Sequence, residues 1–551
     1  MSRRGLIRGA GYSAMGLSAA ALVGCGGEDD GGSASTTTTG SGTSAPAGEP
    51  QAGGTMKLSG GTYRTGIDPY RIALPALPQL WGNVSHHLIE LDPETQEPTN
   101  EGFAESWEYV DDLTLTFKLY DGIKMANVAP VNGRQLTAED VVWSFDRIST
   151  DDPQFARRSL FESIKSVTAV DDLTVRFDLH EPFAPLLTYM GSGHSVIMAR
   201  ESIEMRGENI VDTPEQIFGA GPFILEKQQD EIGATLRKNP DYFRTGRPYL
   251  DKIELITFAD DQSADAAFRT GEILVHAKNA NQYDAYVQSL GREVTAVART
   301  HSGRRYSIEF NNTTAPFDDD RVRKGLHLIF DRQEYINLAY GGYGLLLGNV
   351  SLTLPRYSLT EEEISSLPGY RSEEKDADIA EGKKLLTAAG IEPGYQFTID
   401  NTTLAYPIAT IWAAQLTRAG YQANIHDVEY GAYKAGEGAK EYAMFAGGYT
   451  VEPEADATLR VYSRSDGSRN YTNFADSEVD ELIDRQAQTL DPDERGEICR
   501  EVDRLIIEKA PRILASVAPS YQMTDASVHG WNFTPWSDGD RHDQTDVWLS
   551  A

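Results

Sequence analysis

The side chains that can do chemistry in this chain are few and widely spaced. Its 551 residues include 2 cysteines and 10 histidines. Among the histidines are an adjacent pair, His86-His87, and a single His194 between Gly193 and Ser195. A metal site needs imidazoles that converge. His86 and His87 are predicted to lie on the first helix, where neighbouring residues point about 100° apart. At most one of the pair can then join a site, and the sequence predicts no metal centre.

Motifs typical of catalysis do not occur in the sequence. It has no Gly-x-Ser-x-Gly, His-Glu-x-x-His, Cys-x-x-Cys or phosphate-loop pattern. Acid pairs such as Asp111-Asp112 stand where a turn is expected, and aspartate is a common turn residue. The sequence therefore predicts a protein that is not an enzyme and that needs no cofactor.

Cys25 stands at the end of a short apolar run. The run, residues 9–24, follows a basic start that contains Arg3-Arg4, and it is too short to cross a bilayer. The arginine pair resembles a twin-arginine export signal, with the general secretory route as the alternative. Leu22-Val23-Gly24-Cys25 resembles the lipobox of bacterial lipoproteins; the alternative is an ordinary cleaved signal. The resemblance implies that residues 1–24 are a signal peptide and that Cys25 is lipidated.

Composition limits the partners and the number of domains. Residues 25–54 hold no large apolar side chain after the cysteine, which predicts a lipid anchor followed by a flexible linker. The formal net charge of −33 argues against nucleic acid and anionic lipid as partners. The rest of the chain is too long for one simple core and predicts two or three domains. Cys499 lies in an apolar helical stripe and is predicted to be buried.

The body of the chain mixes strands and helices. DDLTLTFKL (111–119) and DDLTVRFDL (171–179) alternate apolar and polar residues, which predicts two similar strands after Asp-Asp turns. A helical pattern between them, around residues 136–148, indicates a compact α+β subdomain. After residue 307 strands and helices alternate, ending in predicted helices at 477–488 and 493–509, which is typical of an α/β lobe.

Six segments, in this order and spacing, resemble the solute-binding proteins of peptide-type ABC importers, solute-binding family 5. The segments are FAESWEYVDDLTLTFKLYDGIKM (103–125), LTAEDVVWSFDRI (136–148), GAGPFIL (219–225), FNNTTAPFDDDRVRKGLHLIFDRQEYI (310–336), LLTAAG (385–390) and NYTNFADSEVDELID (470–484).

The resemblance covers residues 55 to 535 and implies an α/β, two-lobed periplasmic-binding-protein-like fold of the cluster C type, with an extra α+β subdomain on the first lobe. Lobe I is expected at 55–306 plus 512–551, with the subdomain at about 96–217, and lobe II at 307–511. Two crossovers, near 304–310 and 508–516, would join the lobes, which close on the ligand about a hinge.

The same resemblance implies which residues line the cleft. Tyr449 takes the place of the family's tryptophan after the ligand strand. The stretch 445–454 is a few residues shorter than in dipeptide binders, and Glu452-Pro453 matches a later Asp-Pro of the family better than the acid that meets a peptide's ammonium group. Glu452 is therefore either an ammonium ligand or a structural turn acid. The expected ligand-binding residues are Tyr63, Asp68, His87, His194, Asn311, Tyr340, Tyr449, Glu452, Asn470 and Tyr471.

The predicted function is that of the extracytoplasmic binding component of an ABC importer. The protein would be a monomer, lipid-anchored to the cell membrane on its periplasmic side or at the cell surface, and would deliver a small solute to the membrane permease. A short peptide is the expected ligand. The alternatives are a sugar, an amine or a metal chelate, or a sensory role in place of transport.

Overall fold

A computed structural model describes residues 48–60, 67–71, 76–93, 95–150, 155, 158–193, 195–205, 207, 210–229, 231–299, 304–402, 407–450, 454–517, 520–531 and 544–550. The chain divides into two units, residues 1–50 and 51–551, and all of the described helices and strands lie in the second. Within the described residues, no helix is both long enough and apolar enough to cross a membrane.

The part of the second unit before residue 300 holds strands β1 to β12 and helices α1 to α6. The strands are β1 (Thr55–Gly60), β2 (Glu90–Leu91), β3 (Pro98–Thr99), β4 (Ala104–Asp111), β5 (Thr114–Leu119), β6 (Ile164–Asp171), β7 (Thr174–Leu179), β8 (Phe223–Gln229), β9 (Gly233–Lys238), β10 (Lys252–Thr257), β11 (Val275–Asn279) and β12 (Val294–Arg299). The helices are α1 (Ala76–Val84), α2 (Ala138–Ile148), α3 (Leu186–Met190), α4 (Glu201–Glu204), α5 (Asp261–Thr270) and α6 (Ala280–Leu290).

The part that starts at residue 304 continues the numbering. Its helices are α7 (Asp320–Ile329), α8 (Arg332–Tyr340), α9 (Glu361–Ser366), α10 (Lys375–Ala388), α11 (Ile408–Ala419), α12 (Tyr430–Ala439), α13 (Ala455–Ser463), α14 (Ser477–Gln488) and α15 (Pro492–Lys509). Its strands are β13 (Arg304–Phe310), β14 (Gln396–Asn401), β15 (Gln422–Asp427), β16 (Met444–Thr450), β17 (Arg512–Leu514), β18 (Ser520–Asp525), β19 (Val528–His529) and β20 (Trp548–Leu549).

The two largest hydrophobic cores among the described residues lie in different lobes. Sheets β1-β10-β9-β8, β4-β5-β7-β6 and β11-β18-β12 form lobe I, while the sheet β15-β14-β16-β13-β17 forms lobe II. Buried residues from Met56 to Val547 join into one core in lobe I, and those from Tyr306 to Ala515 form another in lobe II. The predicted α/β two-lobed fold is confirmed.

The two Asp-Asp segments form the matching hairpins that the sequence predicts. Asp111 Oδ1 accepts from Leu113 N at 2.9 Å, and Asp171 Oδ1 accepts from Leu173 N at 2.8 Å. The inner strands of the hairpins, β5 and β7, pair with each other, and α2 packs on the sheet beside β6. This sheet shares its core with the rest of lobe I, so a separate subdomain stays a prediction.

The chain passes between the lobes twice. β12 pairs with β18 in lobe I, and β13 pairs with β17 in lobe II. β12 ends at Arg299 and β13 begins at Arg304. On the return, Ala515 and Val517 still pack in lobe II, and β18 of lobe I begins at Ser520. Residues 304–310 and 512–514, which the sequence places near the crossovers, are strands of the lobe II sheet.

Candidate functional site

The edge of lobe II that faces lobe I carries the ends of its central strands. β13 begins at Arg304, directly after the first crossover, and β16 runs antiparallel to it and ends at Thr450, opposite Arg304. β14 is parallel to β16, but its last residues pair near the start of β16, Asp400 with Phe445, so among these strands β16 alone has its carboxyl end at the Thr450 edge. In α/β folds ligands bind at the carboxyl ends of strands. This edge is therefore the lobe II side of the candidate cleft, and Tyr449, paired with Arg305, places its backbone there.

Helix α13 begins at the same edge, immediately after β16. The Glu454 carboxylate caps the helix, since its Oε2 accepts hydrogen bonds from Asp456 N and, at 3.3 Å, from Ala457 N. Ala457 itself packs into the core of lobe I. The first turn of α13 is thus a place where the two lobes meet.

A buried ion pair behind this turn fixes three helices to one another. Arg495 of α15 donates to Glu454 and, through Nε, to Gln486 Oε1 of α14 at 3.1 Å. Burial alone would lower the pKa of Arg495, but the Glu454 carboxylate outweighs it and the pKa is raised. Such a pair is strongly destabilised if one partner is removed, so its first role is to hold the cleft edge rigid.

Lobe I brings a tyrosine to this ion pair. Burial raises the pKa of Tyr109, on β4, to about 12, and the charge of Arg495 acts in the opposite direction. The interaction connects a lobe I strand with a lobe II helix. The neighbouring Tyr357 of lobe II has its ring 4.8 Å from the Arg495 guanidinium carbon. The two aromatic rings therefore belong to the wall around the interlobe boundary.

Asp68 is held by groups of lobe I. Its carboxylate accepts from Arg147 at 2.5 and 3.1 Å, from Val211 N at 3.2 Å and from Tyr70 N at 3.1 Å. The guanidinium of Arg147 lies over the rings of Tyr70 and Phe155, 5.1 and 5.0 Å from their centroids. The buried pair fixes the chain that follows residues 61–66, and ligand contact by Asp68 stays a prediction.

His86 and His87 follow helix α1 and do not lie on it. Because α1 ends at Val84, the prediction that both histidines lie on a helix was wrong. Both imidazoles contact the same carboxylate. His86 Nδ1 and His87 Nδ1 lie 3.1 and 3.0 Å from the two oxygens of Glu90. His86 Nε2 also contacts the Tyr242 hydroxyl at 2.7 Å. Across the described residues no cluster of three or more His, Cys, Asp or Glu side chains could hold a metal ion.

Asn311 and the loop after α13 lie together, at the opposite edge of the lobe II sheet. Asn311 Nδ2 donates to Lys440 O at 3.0 Å, and its Oδ1 accepts from Asn473 Nδ2 at 3.1 Å. The pair Phe310–Met444 marks this edge. Along the strands, the Phe310–Met444 pair is five residues, about 17 Å, from the Arg305–Tyr449 pair.

Asn470 and Tyr471 belong to the same distant loop. Asn470 is fully buried, and its amide bonds the backbone of Arg464 at 3.0 Å and of Phe474 at 2.7 Å. Tyr471 is half-buried, with Lys434 of α12 located 5.4 Å from its ring. These residues shape the turn between α13 and α14, so the structure does not bring them together with Tyr449.

Tyr340 closes helix α8 in the core of lobe II. Its ring packs edge-on against Tyr335, with centroids 5.6 Å apart and hydroxyls at 3.4 Å. The Gly341-Gly342 turn follows, and Tyr343 then reaches Asp284 of lobe I at 3.3 Å. Tyr340 therefore stands beside an interlobe contact.

Several predicted site residues cannot be placed in this geometry. Tyr63, His194, Glu452 and Cys25 lie outside the described residues, and for Tyr449 only the backbone position is known. Sequence reasoning missed Glu454 and Arg495 as the pair that organises the cleft edge. Glu454 could have been found, because an acid directly before a helical pattern indicates a helix cap. Arg495 could not, because it lies 41 residues from Glu454 in sequence and no local pattern connects the two.

Comparisons with known proteins agree with this architecture. A family model described as "Bacterial extracellular solute-binding proteins, family 5 Middle" matches residues 99–470. The glutathione-binding protein GsiB of Salmonella typhi is 26% identical over 467 residues, which is 82% of this chain and 87% of that protein. A dipeptide-binding protein of Pseudomonas aeruginosa is 25% identical over 463 residues, 79% of this chain and 84% of that protein.

A solved structure shows the same fold. It is the ABC transporter-associated periplasmic binding protein DppA from Helicobacter pylori in complex with the peptide STSA. It superposes with a TM-score of 0.71 at 23% identity and covers 91% of this chain and 99% of its own.

Proposed function

Because the chain belongs to family 5 of the bacterial extracellular solute-binding proteins, we propose that it captures a short peptide between its lobes and delivers it to an ABC permease in the membrane. The observation that carries the peptide assignment is the similarity, over 82% and 79% of the chain, to proteins named for glutathione and dipeptides. The two separate cores joined by two crossovers suit a binder that closes about a hinge. In this proposal the protein works by binding alone and carries out no reaction.

Ligand contact is assigned first to the residues next to the cleft edge. Tyr449 and Glu452 are on or directly after β16, whose end faces lobe I, and we assign the peptide's ammonium group to Glu452. Tyr63 follows β1, and His194 precedes a segment that packs in the lobe I core. An aromatic ring next to polar groups suits a peptide backbone, since it combines an apolar face with hydrogen bonding.

The other predicted contacts support the site from a distance in this proposal. The polar groups of Asp68, Asn311 and Asn470 are engaged by the protein itself. Tyr340 and Tyr471 affect ligand binding indirectly, because they hold the turns next to them in place. His87 does so by orienting Glu90. Their substitution would alter the shape of the lobes before it altered a ligand contact.

We further propose that residues 1–24 direct export and that Cys25 carries lipid. Residues 25–54 would then tether a monomeric binding unit to the membrane, where the permease is. A tether raises the effective concentration of the binder at its partner. Mass analysis of the mature N-terminus tests this: the expected product begins at an acylated Cys25, and an unmodified N-terminus at another residue would contradict it.

The test of the ligand class is the identity of what the protein retains. The chain from residue 26 onward, purified from a rich medium without denaturant, is measured by native mass spectrometry and then denatured to release its ligand. We expect short peptides of mixed sequence at one per chain. Release of a sugar, an amine or a metal chelate would overturn the peptide assignment.

A paired substitution tests the ammonium contact. Glu452→Gln should weaken binding of a free-amine peptide by about tenfold or more, since a charge-assisted hydrogen bond is lost, and should leave an N-acetylated peptide unaffected. Glu441→Gln is the matched control, because Glu441 is exposed and precedes β16 at its opposite end. Calorimetric titration reads both. Equal losses for both peptides, or no loss, would remove Glu452 from the site.

A further inference from the structure

We propose that Arg356 forms a bridge between the lobes, away from the crossovers, that stabilises the closed form. Arg356 Nε donates to Glu97 Oε1 of lobe I at 2.9 Å, and its Nη1 donates to Asp493 Oδ1 of lobe II at 2.6 Å. We call these three residues the rim bridge. The inference rests on the proposed function only in that ligand binding requires the lobes to open and close.

The backbone of Arg356 is fixed within lobe II. Its carbonyl oxygen accepts a hydrogen bond from Arg500 of α15. Gly496, one turn earlier on that helix, faces the same carbonyl so closely that a Cβ would come within 2.6 Å of it. The backbone at Arg356 therefore packs against α15 at Gly496, where only glycine fits. This contact fixes the position from which the Arg356 side chain reaches lobe I.

The loop that leads to Arg356 is anchored as well. The buried Asp503 carboxylate accepts from Asn349 N at 2.7 Å, from Asn349 Nδ2 at 2.9 Å and from Val350 N at 3.3 Å. Arg305, near the start of β13, donates to Gly348 O at 3.0 Å from the other side. This anchor lies next to the first crossover, while Asp493 is ten residues, about 15 Å, closer to the start of α15.

A second pair of contacts crosses the interlobe boundary at another helix end. Ala184 N of lobe I donates to Ala487 O, in the last turn of α14, at 2.8 Å. Gln488 Nε2 donates to Glu181 Oε2 at 3.0 Å. The carbonyls of a last helical turn have no partner within the helix, so lobe I supplies one of the partners. The lobes are thus joined here at sites other than their crossovers.

Within the rim bridge, only the contact between Arg356 and Glu97 joins the two lobes. Arg356 and Asp493 are both in lobe II and stay paired when the lobes separate, whereas Glu97 moves away with lobe I. A contact shifts an equilibrium only if it differs between the two states. The side chains of Arg356 and Glu97 are each 37% exposed, and exposed ion pairs are weak. The bridge therefore favours closure mildly and lets the cleft reopen.

The test measures lobe separation in the ligand-free chain from residue 26 onward. Dyes are placed at Val170→Cys of lobe I and Lys384→Cys of lobe II, which are 59% and 74% exposed, while the native Cys499 is buried. Single-molecule energy transfer gives the ratio of closed to open molecules. We expect Glu97→Gln to lower this ratio about 1.5- to fivefold, and Arg356→Gln to lower it equally, with no further change in the double variant.

Two controls isolate the bridge. Asp493→Asn removes the partner that is present in both forms and should leave the ratio unchanged. Arg504→Gln removes a bridge to Glu363 that lies wholly within lobe II, with side chains 44% and 38% exposed, and should also leave it unchanged. An unaltered ratio in Glu97→Gln, an equal loss in Arg504→Gln, or a ligand-free protein with no closed molecules would overturn the proposal. Because no ligand is used, failure of this test is distinct from failure of the peptide assignment.

Discussion

At the scale of single residues, the buried Glu90 shows how lobe I holds charge in its interior. Burial alone would raise the pKa of its carboxyl, but His87 and His86 outweigh burial and lower that pKa well below its usual range. The Nδ1 atom of each imidazole is hydrogen-bonded to a different carboxylate oxygen of Glu90. The carboxylate thereby orders the segment between α1 and β2.

Replacing this carboxylate should destabilise lobe I and flatten its response to acid. Glu90→Gln is expected to lower the free energy of unfolding by about 3–5 kcal/mol, as for a buried pair that loses one partner. A depressed pKa adds stability above the unfolded-state value, which is lost as pH falls through the folded-state pKa. The wild type should therefore lose stability as pH falls below about 4.5, the ordinary pKa of the carboxyl, and more steeply than the variant.

Urea denaturation at a series of pH values checks this expectation. Glu105→Gln serves as control, since Glu105 pairs with Lys118 at 3.2 Å with both side chains about half exposed. That variant should unfold as the wild type does. Parallel pH profiles for the wild type and Glu90→Gln would contradict the role given to the two histidines.

At the scale of elements, the loop after residue 345 depends on one helix of lobe II. Asp503 lies fully buried on α15, and burial raises the pKa of its carboxyl against the hydrogen bonds from Asn349 and Val350. The loop comes close enough that a Cβ on Gly348 would lie 2.1 Å from Asp503 Oδ2. Only glycine fits at position 348, because the Asp503 carboxylate occupies the space that a Cβ would need.

Gly348→Ala should therefore lower the free energy of unfolding by about 1–3 kcal/mol through overpacking. Gly438→Ala is the matched control. Gly438 lies in α12 and has no atom within 4 Å of its would-be Cβ, so alanine should leave stability unchanged or raise it by up to about 1 kcal/mol. Thermal unfolding measures both. Equal midpoints for the two variants would show that the loop yields easily.

Elements with local signals could be predicted from the sequence. Helices expected at 477–488 and 493–509 are found at Ser477–Gln488 and Pro492–Lys509, because an aspartate caps each and an apolar stripe follows. Cys499 is fully buried in that stripe, as predicted. The two hairpins were also evident, since Asp-Asp turns and strict alternation are local patterns.

The placement of the site could be predicted only in part. Asn311 and Asn470 share a segment order with the family, yet the antiparallel register of β13 and β16 puts them at the edge away from Tyr449. His86 and His87 read as helical because apolar residues surround them, but the chain leaves the helix at Val84. Both outcomes depend on contacts between distant segments, which local patterns do not encode.

At the scale of the whole molecule, each lobe has its own main core, and the lobes meet at polar contacts and at Ala457 of α13. β12 pairs with β18 in lobe I, and β13 pairs with β17 in lobe II. The two strands that flank each crossover therefore lie in different lobes. Contacts beyond the junction include those of the rim bridge, of α14, of the first turn of α13 and of Tyr343 with Asp284. Such a boundary can open while both cores stay intact.

Small-angle X-ray scattering of the ligand-stripped protein, before and after addition of the peptide that it released, tests capture by lobe closure most directly. We expect a one-to-one complex with a smaller radius of gyration, because ligand contacts made only in the closed form draw the lobes together. A peptide that binds at one per chain without any change in scattering would contradict closure of the lobes as the means of capture.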